Sequence, residues 1–233
     1  MEQKRRDMKR VPEPELMEDE EQAIAYAQGN FAEAHQRLVD LIGELLPDRP
    51  RQGRAVDLGC GPGDMLCRFA RAHPGYQIDA VDGSAAMVRL AREAVAADPQ
   101  LAGRVHVQVG RIPDVSLPHP TYDLIFSNSL LHHLPDPGVL WKVIQQYCGR
   151  QTWIFVSDLR RPASWEAIDR IVQKYAASDP PILQRDFRNS LAAAFTVPEV
   201  QAQLEENGLT ELTVRPIGDR HLVVYGVIRR KSD

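Results

Sequence analysis

The sequence contains few cysteines and no long apolar run. Its 233 residues include three cysteines, Cys60, Cys67 and Cys148, and their odd number and scattered positions do not fit a disulfide framework or a zinc pair. We therefore expect a reducing, cytoplasmic setting. No apolar stretch approaches the ~20 residues of a membrane-spanning helix, and no apolar segment follows the basic N-terminus as it would in a signal peptide. Membrane association is therefore not expected.

The sequence also lacks a strong excess of charge of either sign. Its 28 basic and 32 acidic residues give a net charge of −4, and aromatic residues make up only 6%. Surfaces that bind single-stranded nucleic acid combine positive charge with aromatic side chains, and no such stripe is present in the sequence. We therefore do not expect nucleic acid as a partner. With 43% hydrophobic and 26% charged residues, the chain has the composition of a globular protein with a substantial core.

The first part of the chain shows two kinds of pattern. Residues 1–17 mix charges with two prolines and offer almost nothing to bury, which predicts a flexible tail. Apolar residues then recur at helical spacing over residues 18–46, and Gly29 and Asn30 interrupt them. This part is predicted to form two N-terminal helices.

From residue 54 onward, short apolar segments alternate with amphipathic ones. RAVDLG and QIDAVD are typical of strands, whereas DMLCRFARAH and AAMVRLAREAVAA are typical of helices. This alternation indicates βαβ units and predicts a parallel sheet with helices on both faces. The alternation stops after residue 160, and residues 163–195 are predicted to form an inserted helical cap.

The chain ends in two predicted strands joined by a short turn at residues 218–220. So short a link permits only an antiparallel hairpin. The predicted fold class is therefore α/β: a Rossmann-like, doubly wound seven-stranded sheet with an antiparallel last strand. N-terminal helices and a helical insertion before the terminal hairpin complete it, and residues 18–233 are predicted to form a single domain.

Three glycines lie between the first strand and the first helix of this alternation, where the chain reads AVDLGCGPGD. Glycine lets a ligand approach the backbone at the positive end of a helix, where any Cβ would block it. Dinucleotide sites use the pattern G-x-G-x-x-G, but Asp64 occupies the third glycine position here. The observed pattern is instead D-x-G-x-G-x-G, running from Asp57 to Gly63.

This stretch resembles the first motif of the class I S-adenosylmethionine-dependent methyltransferases. The resemblance extends in motif order over residues 54–160, and the reversed last strand agrees with it. It implies S-adenosyl-L-methionine as the cofactor and methyl transfer as the reaction. The expected cofactor-binding residues are Asp57, Gly59, Cys60, Gly61, Gly63, Asp82, Gly83, Met87, Gly110, Arg111, Ile112, Asn128 and Ser129.

Two parts of this expected site, Asp82 and the residues after Gly110, can each be argued from their place in the sequence. Asp82 ends the second strand, where a carboxylate can accept hydrogen bonds from both ribose hydroxyls of an adenosine-type ligand. After Gly110 the family usually carries an acidic residue that holds the adenine amino group, and this chain has Arg111 instead. Here the backbone groups of Arg111 and Ile112 are expected to contact the adenine edge.

The methyl donor is an activated sulfonium, so the enzyme mainly has to align the acceptor and exclude water. A general base is needed only for an acceptor that keeps its proton. The candidates follow the fourth and fifth strands and are His132, His133 and Asp158. The alternatives are a structural role for the histidines and a helix-cap or ion-pair role for Asp158. No metal site is expected, because no further histidine or carboxylate has ligand spacing.

Several cationic and polar side chains lie in the predicted cap and near the last turn. If they converge over the cofactor, the paired donors of arginine suit a carboxylate or phosphate, and the acceptor is a small anionic molecule. The alternative is a solvated helix face with surface ion pairs. The expected acceptor-binding residues are Tyr26, Arg160, Arg185, Arg188, Asn189, Arg220 and His221.

Three other functions stay open from the sequence. An RNA or protein acceptor would keep the cofactor, although the net charge argues against RNA. A nicotinamide-dependent oxidoreductase would normally have glycine where Asp64 stands. A relative that binds the cofactor without catalysis is left open by the departure at Arg111. The sequence identifies neither the acceptor atom nor the oligomeric state.

Overall fold

A computed structural model describes residues 8–13, 20–27, 29 and 31–230. The strands are β1 (Gln52–Leu58), β2 (Gly75–Asp82), β3 (Val105–Val109), β4 (Tyr122–Asn128), β5 (Cys148–Leu159), β6 (Thr213–Ile217) and β7 (His221–Arg229). The helices are α1 (Glu20–Ala27), α2 (Ala32–Leu45), α3 (Asp64–Ala72), α4 (Ala85–Ala96), α5 (Gly138–Tyr147), α6 (Trp165–Ala176), α7 (Pro181–Ala193) and α8 (Val197–Glu206). A short 3₁₀ turn, Leu131–His133, follows β4.

The seven strands form one sheet in the order β3-β2-β1-β4-β5-β7-β6. Strands β1 to β5 pair in parallel, and β7 runs antiparallel between β5 and β6. The predicted fold class, including the antiparallel last strand, is confirmed. Because the carboxyl ends of β1, β2, β4 and β5 meet along one edge, the loops that follow them are brought together there.

Helices cover both faces of the sheet because the central strands are apolar on both sides. Helices α2, α3 and α4 pack on one face, and α5 and α8 pack on the other. On the second face the fully buried Trp141 donates its indole N–H to Gln203 at 3.0 Å. The side chain thus combines the burial of a large aromatic surface with a satisfied polar group.

Helices α6 and α7 follow β5 and form a cap with its own small core. Leu159, Ile168 and Leu191 are buried in this core. The Ser164 hydroxyl accepts a hydrogen bond from the Ala167 backbone N–H and so caps the start of α6. None of the described helices combines the length and the apolar character that a bilayer span requires.

Residues 8–13, here called the N-terminal segment, lie against the cap. Met8 packs on the cap core, and its carbonyl accepts a hydrogen bond from the Arg161 guanidinium at 2.9 Å. The segment therefore belongs to the folded surface around the sheet edge. The other residues of the tail predicted over 1–17 lie outside the described part of the chain.

Candidate functional site

The glycine loop after β1 has a backbone that other residues rarely adopt. Gly59, Gly61 and Gly63 have φ angles of 76°, 52° and 88°, in the left-handed region that favours glycine. A Cβ on Gly59 would lie 3.0 Å from Leu130, whereas a Cβ on Gly61 would meet nothing within 4 Å. The Gly59 position is therefore fixed by packing. Gly61 leaves its backbone open to a ligand.

Asp82 ties the glycine loop to the end of β2. One carboxylate oxygen accepts the Gly61 N–H and the other accepts the Ser84 N–H, each at 2.9 Å. Burial raises the pKa of Asp82, although these two backbone hydrogen bonds lower it. Since a carboxylate has about four acceptor positions, Asp82 retains capacity for the ribose hydroxyls of a ligand.

A cavity opens between the glycine loop and the N-terminal helices. Its lining combines the loop with residues that precede the sheet: Tyr26, Ala27, Gly29, Phe31, Ala32, His35, Asp57, Gly59, Cys60, Gly61, Pro62, Asp64, Met65 and Asn128. The expected residues Asp57, Gly59, Cys60, Gly61 and Asn128 therefore share one cavity. Tyr26, expected to contact the acceptor, lines this cavity too.

Eight of the fourteen lining residues were not expected from the sequence, and Phe31, His35 and Asp64 are among them. His35 Nδ1 lies 2.8 Å from Asp64 Oδ2, and Arg68 donates to the same carboxylate. Burial raises the pKa of Asp64, but the hydrogen bonds from His35 and Arg68 lower it more, to about 2. The spacing of apolar residues over 18–46 indicates only the buried face of α2. It does not indicate that His35, a polar residue of the same helix, lines the cavity.

Asp57 and Tyr26 both line this cavity, and burial raises the pKa of each side chain. Burial raises the pKa of Asp57 well above its usual range, and the Asp82 carboxylate raises it further. Burial is also the main cause that raises the pKa of Tyr26 to about 12.

The other expected cofactor residues surround the loop less closely. Met87 is buried in the first turn of α4, behind the Ser84 cap. Gly110 is packed so tightly that a Cβ would come within 2.4 Å of Val115. Arg111 is exposed and Ile112 is half-buried. Contacts of Gly83, Gly110, Arg111 and Ile112 with a ligand stay predictions.

Backbone strain marks the carboxyl end of β4. Ser129 has a φ of 56°, which is uncommon for a residue with a side chain. Its N–H donates to the Ser157 carbonyl at 3.0 Å, so β4 and β5 stay linked beyond Asn128. Such outliers cluster at functional sites. Ser129 lies between Asn128, which lines the cavity, and the 3₁₀ turn Leu131–His133.

His132 and Asp158 form a buried pair where β4 and β5 end. Their side chains are 2% and 1% exposed, and Nδ1 of His132 lies 2.6 Å from Asp158 Oδ1. Burial lowers the pKa of His132, but the Asp158 carboxylate outweighs burial and the net pKa is raised. The histidine ring is thus held in one orientation by a charged partner.

The N-terminal segment covers this pair. Arg10 donates to the carbonyls of Ala193, His132 and Leu134, and its guanidinium lies 4.0 Å above the Phe195 ring. Sequence reasoning missed Arg10, because nothing in a charged, proline-containing stretch indicates which distant strand ends it will contact.

Glu13 of the same segment reaches both histidines. Its Oε1 lies 3.4 Å from Nε2 of His132 and 3.3 Å from Nδ1 of His133. The Ser190 hydroxyl donates to the same oxygen at 2.9 Å. Burial raises the pKa of Glu13, although His132 lowers it. Glu13 was also not among the residues identified from the sequence.

The arginines of the cap form ion pairs with their neighbours. Arg188 donates to Asp169 at 2.7 Å, and its guanidinium lies 4.4 Å from the Trp165 ring. Arg185 pairs with the adjacent Asp186. Asn189, on the same helix, is exposed. Two of these three expected acceptor residues, Arg185 and Arg188, therefore take part in ion pairs, and a role of all three in acceptor binding stays a prediction.

Arg160, Arg220 and His221 come together where β5 and β7 pair. The Arg160 N–H donates to the Arg220 carbonyl at 2.8 Å, and Leu159 pairs with His221 across the strands. The Arg220 guanidinium stacks 3.3 Å from the Tyr175 ring. These three expected residues thus lie at the same strand end as Asp158.

Comparison with known sequences identifies one family over most of the chain. A family described as a methyltransferase domain matches residues 31–214. A trans-aconitate 2-methyltransferase of Mycobacterium tuberculosis is 30% identical over 167 residues, which are 71% of this chain and 58% of the relative. One of Deinococcus radiodurans is 36% identical over 92 residues, 40% of this chain and 32% of the relative. The chain thus spans less than two thirds of these relatives.

Solved structures show the same fold at low sequence identity. A plantazolicin methyltransferase in complex with a desmethyl substrate analogue and SAH superposes with a TM-score of 0.68 at 13% identity, covering 91% of this chain and 90% of that one. An S-adenosyl-L-methionine-dependent methyltransferase of Methanococcus maripaludis also gives 0.68, at 18% identity, with 96% and 98% covered.

Proposed function

The chain belongs to the class I S-adenosylmethionine-dependent methyltransferases, and on that premise we propose that it transfers a methyl group to the carboxylate of a small anionic acceptor. The glycine loop is the observation that carries the methyl-transfer part of this proposal. Its Gly61 backbone is open, and Asp82 anchors it at the adjoining strand end. The cavity next to this loop is lined by polar groups as well as by Tyr26 and Phe31.

The residues present fit an adenosyl amino acid cofactor. When bound, S-adenosyl-L-methionine supplies a methyl group on a positively charged sulfur. Asp82 is placed to accept from the ribose hydroxyls, and the open backbone at Gly61 admits the cofactor without a side-chain clash. Asp57 and Asn128 supply hydrogen-bonding groups on the cavity wall. The main tasks of these residues are alignment and the exclusion of water.

An anionic acceptor is supported by the cations near the strand end. Arg160 and Arg220 lie where β5 meets β7, and Arg160 follows Asp158 of the buried pair by two residues. Arginine binds carboxylates through paired donors. The name of the Mycobacterium tuberculosis relative specifies an acid anion as its acceptor, which supports the same class for this chain.

A carboxylate acceptor determines what the histidines have to do. Its oxygen is already deprotonated at neutral pH, so methyl transfer to it needs no general base. We therefore assign His132, His133 and Asp158 a positioning role at the acceptor end of the site. A phenol or alcohol acceptor would instead require one of these three residues to remove the proton of its hydroxyl group.

The proposed setting is the cytoplasm. The three cysteines are free and buried, which fits a reducing compartment.

The test is an acceptor panel with the purified chain. Di- and tricarboxylates, including trans-aconitate, are incubated with S-adenosyl-L-methionine carrying an isotopically labelled methyl group, beside the matching amides as neutral controls. We expect a labelled methyl ester from at least one carboxylate and none from its amide. Labelling of amides or alcohols alone would overturn the carboxylate acceptor, and labelled RNA or protein from a cell extract would move the acceptor to a macromolecule.

A further inference from the structure

Glu13, His132 and His133 bring three potential metal ligands together beside the sheet edge. Their ligand atoms, one from each residue, lie within 4.8 Å of one another. In the described ranges 8–13, 20–27, 29 and 31–230, no other three histidine, cysteine or acidic residues bring their ligand atoms this close together. Two ligands follow β4, and the third comes from the N-terminal segment.

Two of the three distances within this cluster match the edges of a tetrahedral coordination shell, and the third lies within 4.8 Å. Glu13 Oε1 lies 3.4 Å from His132 Nε2 and 3.3 Å from His133 Nδ1. Two atoms bound to one tetrahedral ion at about 2.0–2.1 Å are themselves about 3.3–3.4 Å apart. A typical N–H···O hydrogen bond is shorter, at about 2.9–3.0 Å. The spacing therefore suits ligands that share an ion.

Asp158 prepares His132 as a ligand. Its carboxylate lies 2.6 Å from Nδ1 of His132, and the other ring nitrogen, Nε2, faces Glu13. A histidine that ligates a metal usually donates its other nitrogen to such a carboxylate. On the other side, the Ser190 hydroxyl orients the Glu13 oxygen at 2.9 Å.

The surrounding charges favour a cation at this point. The carboxylates of Glu13 and Asp158 both contact His132. The nearby Arg161 is paired with Glu199 at 2.6 Å, and the Arg10 side chain donates to backbone carbonyls. His132 therefore lies between two carboxylates, one from the N-terminal segment and one from β5.

We propose that Glu13, His132 and His133 bind one divalent transition-metal ion of the zinc class, with Asp158 and Ser190 orienting the ligands. A two-histidine, one-carboxylate set suits Zn²⁺ or Co²⁺ and leaves a coordination position for an oxygen ligand. The spacing of residues in the sequence predicted no metal site, because it could not place Glu13 beside the histidines. The measurement of metal binding needs neither cofactor nor acceptor, so its result is independent of the proposed function.

The test is a titration of the dialysed, metal-free full chain with Co²⁺ and Zn²⁺. We expect one equivalent of Co²⁺ to give the intense visible absorption of a tetrahedral site, and Zn²⁺ to displace it. Glu13→Gln and His133→Asn should each weaken binding at least about tenfold, on the scale known for perturbed metal sites. Mg²⁺ should not compete, because it prefers six oxygen ligands.

Matched controls separate this site from adventitious binding. Glu44→Gln and His106→Asn change the same residue types on the exposed surface of α2 and β3 and should leave the titration unchanged. Circular dichroism verifies that each variant is folded, and Glu13→Gln changes a residue outside the helices and strands. The proposal is overturned if the wild type shows no saturable binding, or if Glu13→Gln and His133→Asn bind as tightly as the two controls.

Discussion

The two ends of the candidate site are built in different ways. The cofactor end comes from a short continuous stretch, residues 57–64, together with Asp82 on the neighbouring strand. The acceptor end is assembled from the N-terminal segment, the turn after β4, the end of β5 and the cap. A continuous stretch leaves a motif in the sequence, whereas an assembled surface leaves its residues scattered.

The largest expected effect tests the open backbone of the cofactor end. Gly61→Ala adds a methyl group where nothing in the protein lies within 4 Å, so only a ligand would be obstructed. We expect the affinity for S-adenosylhomocysteine to fall by about 100-fold or more, since a Cβ blocks close approach to the backbone. Isothermal titration calorimetry measures the change.

Gly208→Ala is the matched control for this substitution. Gly208 also has a positive φ, 67°, and free space around its Cβ position, but it follows α8. Both variants should lose about 1–2 kcal/mol of folding stability, the cost of a left-handed backbone for other residues. Equal cofactor affinity in the two variants would contradict the account of the loop.

The next largest effect concerns Asp82. Asp82→Ala removes the acceptor for two backbone N–H groups and the expected partner of the ribose hydroxyls. We expect cofactor binding to weaken by about 1–3 kcal/mol, the scale for lost buried hydrogen bonds. The control is 2′,3′-dideoxy cofactor product, which lacks the hydroxyls. A loss of this size for the normal product, with the analogue binding equally to wild type and variant, assigns the effect to the ribose. Unchanged affinity in the calorimeter rules out the ribose role.

The contrast between the two ends also explains what the sequence could predict. The alternation of strands and helices determines the sheet, and the pattern around Gly59 and Gly61 indicates the family, because both signals are local. Glu13 and Arg10 could not be found in this way, since their partners lie at distant strand ends. In the sequence, His132 and Asp158 are separate candidates, because they belong to the ends of different strands. In the structure, His132 Nδ1 lies 2.6 Å from Asp158 Oδ1.

A smaller effect is expected at the acceptor end when the N-terminal segment loses its anchor. Arg10→Ala leaves the carbonyls of Ala193, His132 and Leu134 without this donor. The local opening free energy should fall by roughly 1–2 kcal/mol. Hydrogen exchange should become faster at the turn after β4, while the glycine loop keeps its protection.

Arg37→Ala is the control for this experiment, because Arg37 is an exposed arginine of α2 that pairs with Glu44. It should leave exchange at the turn unchanged. Faster exchange at both ends of the site after Arg10→Ala would show that the two ends unfold together, contrary to the comparison drawn above.

The smallest expected effect is a pH dependence from His221. The pKa of His221 is lowered to about 4, mainly by burial and also by the Arg220 charge, although Asp158 and Asp219 raise it. Between about pH 6.5 and 4 the unfolded chain therefore binds a proton that the folded chain does not. The free energy of unfolding should fall as the pH falls through this window, by on the order of 1 kcal/mol from this residue.

His221→Gln should flatten that part of the profile, as measured by urea unfolding at pH 7 and pH 5. His106, an exposed histidine on β3, supplies the control variant His106→Asn. An unchanged slope in His221→Gln would mean that folding does not lower the pKa of His221.

The most direct test of the central claim is an equilibrium titration of the wild-type chain with S-adenosylhomocysteine. The account predicts saturable binding of one equivalent that S-adenosyl-L-methionine displaces, because it assigns the cofactor site to the glycine loop and Asp82. The absence of saturable binding by a folded wild-type chain would contradict it.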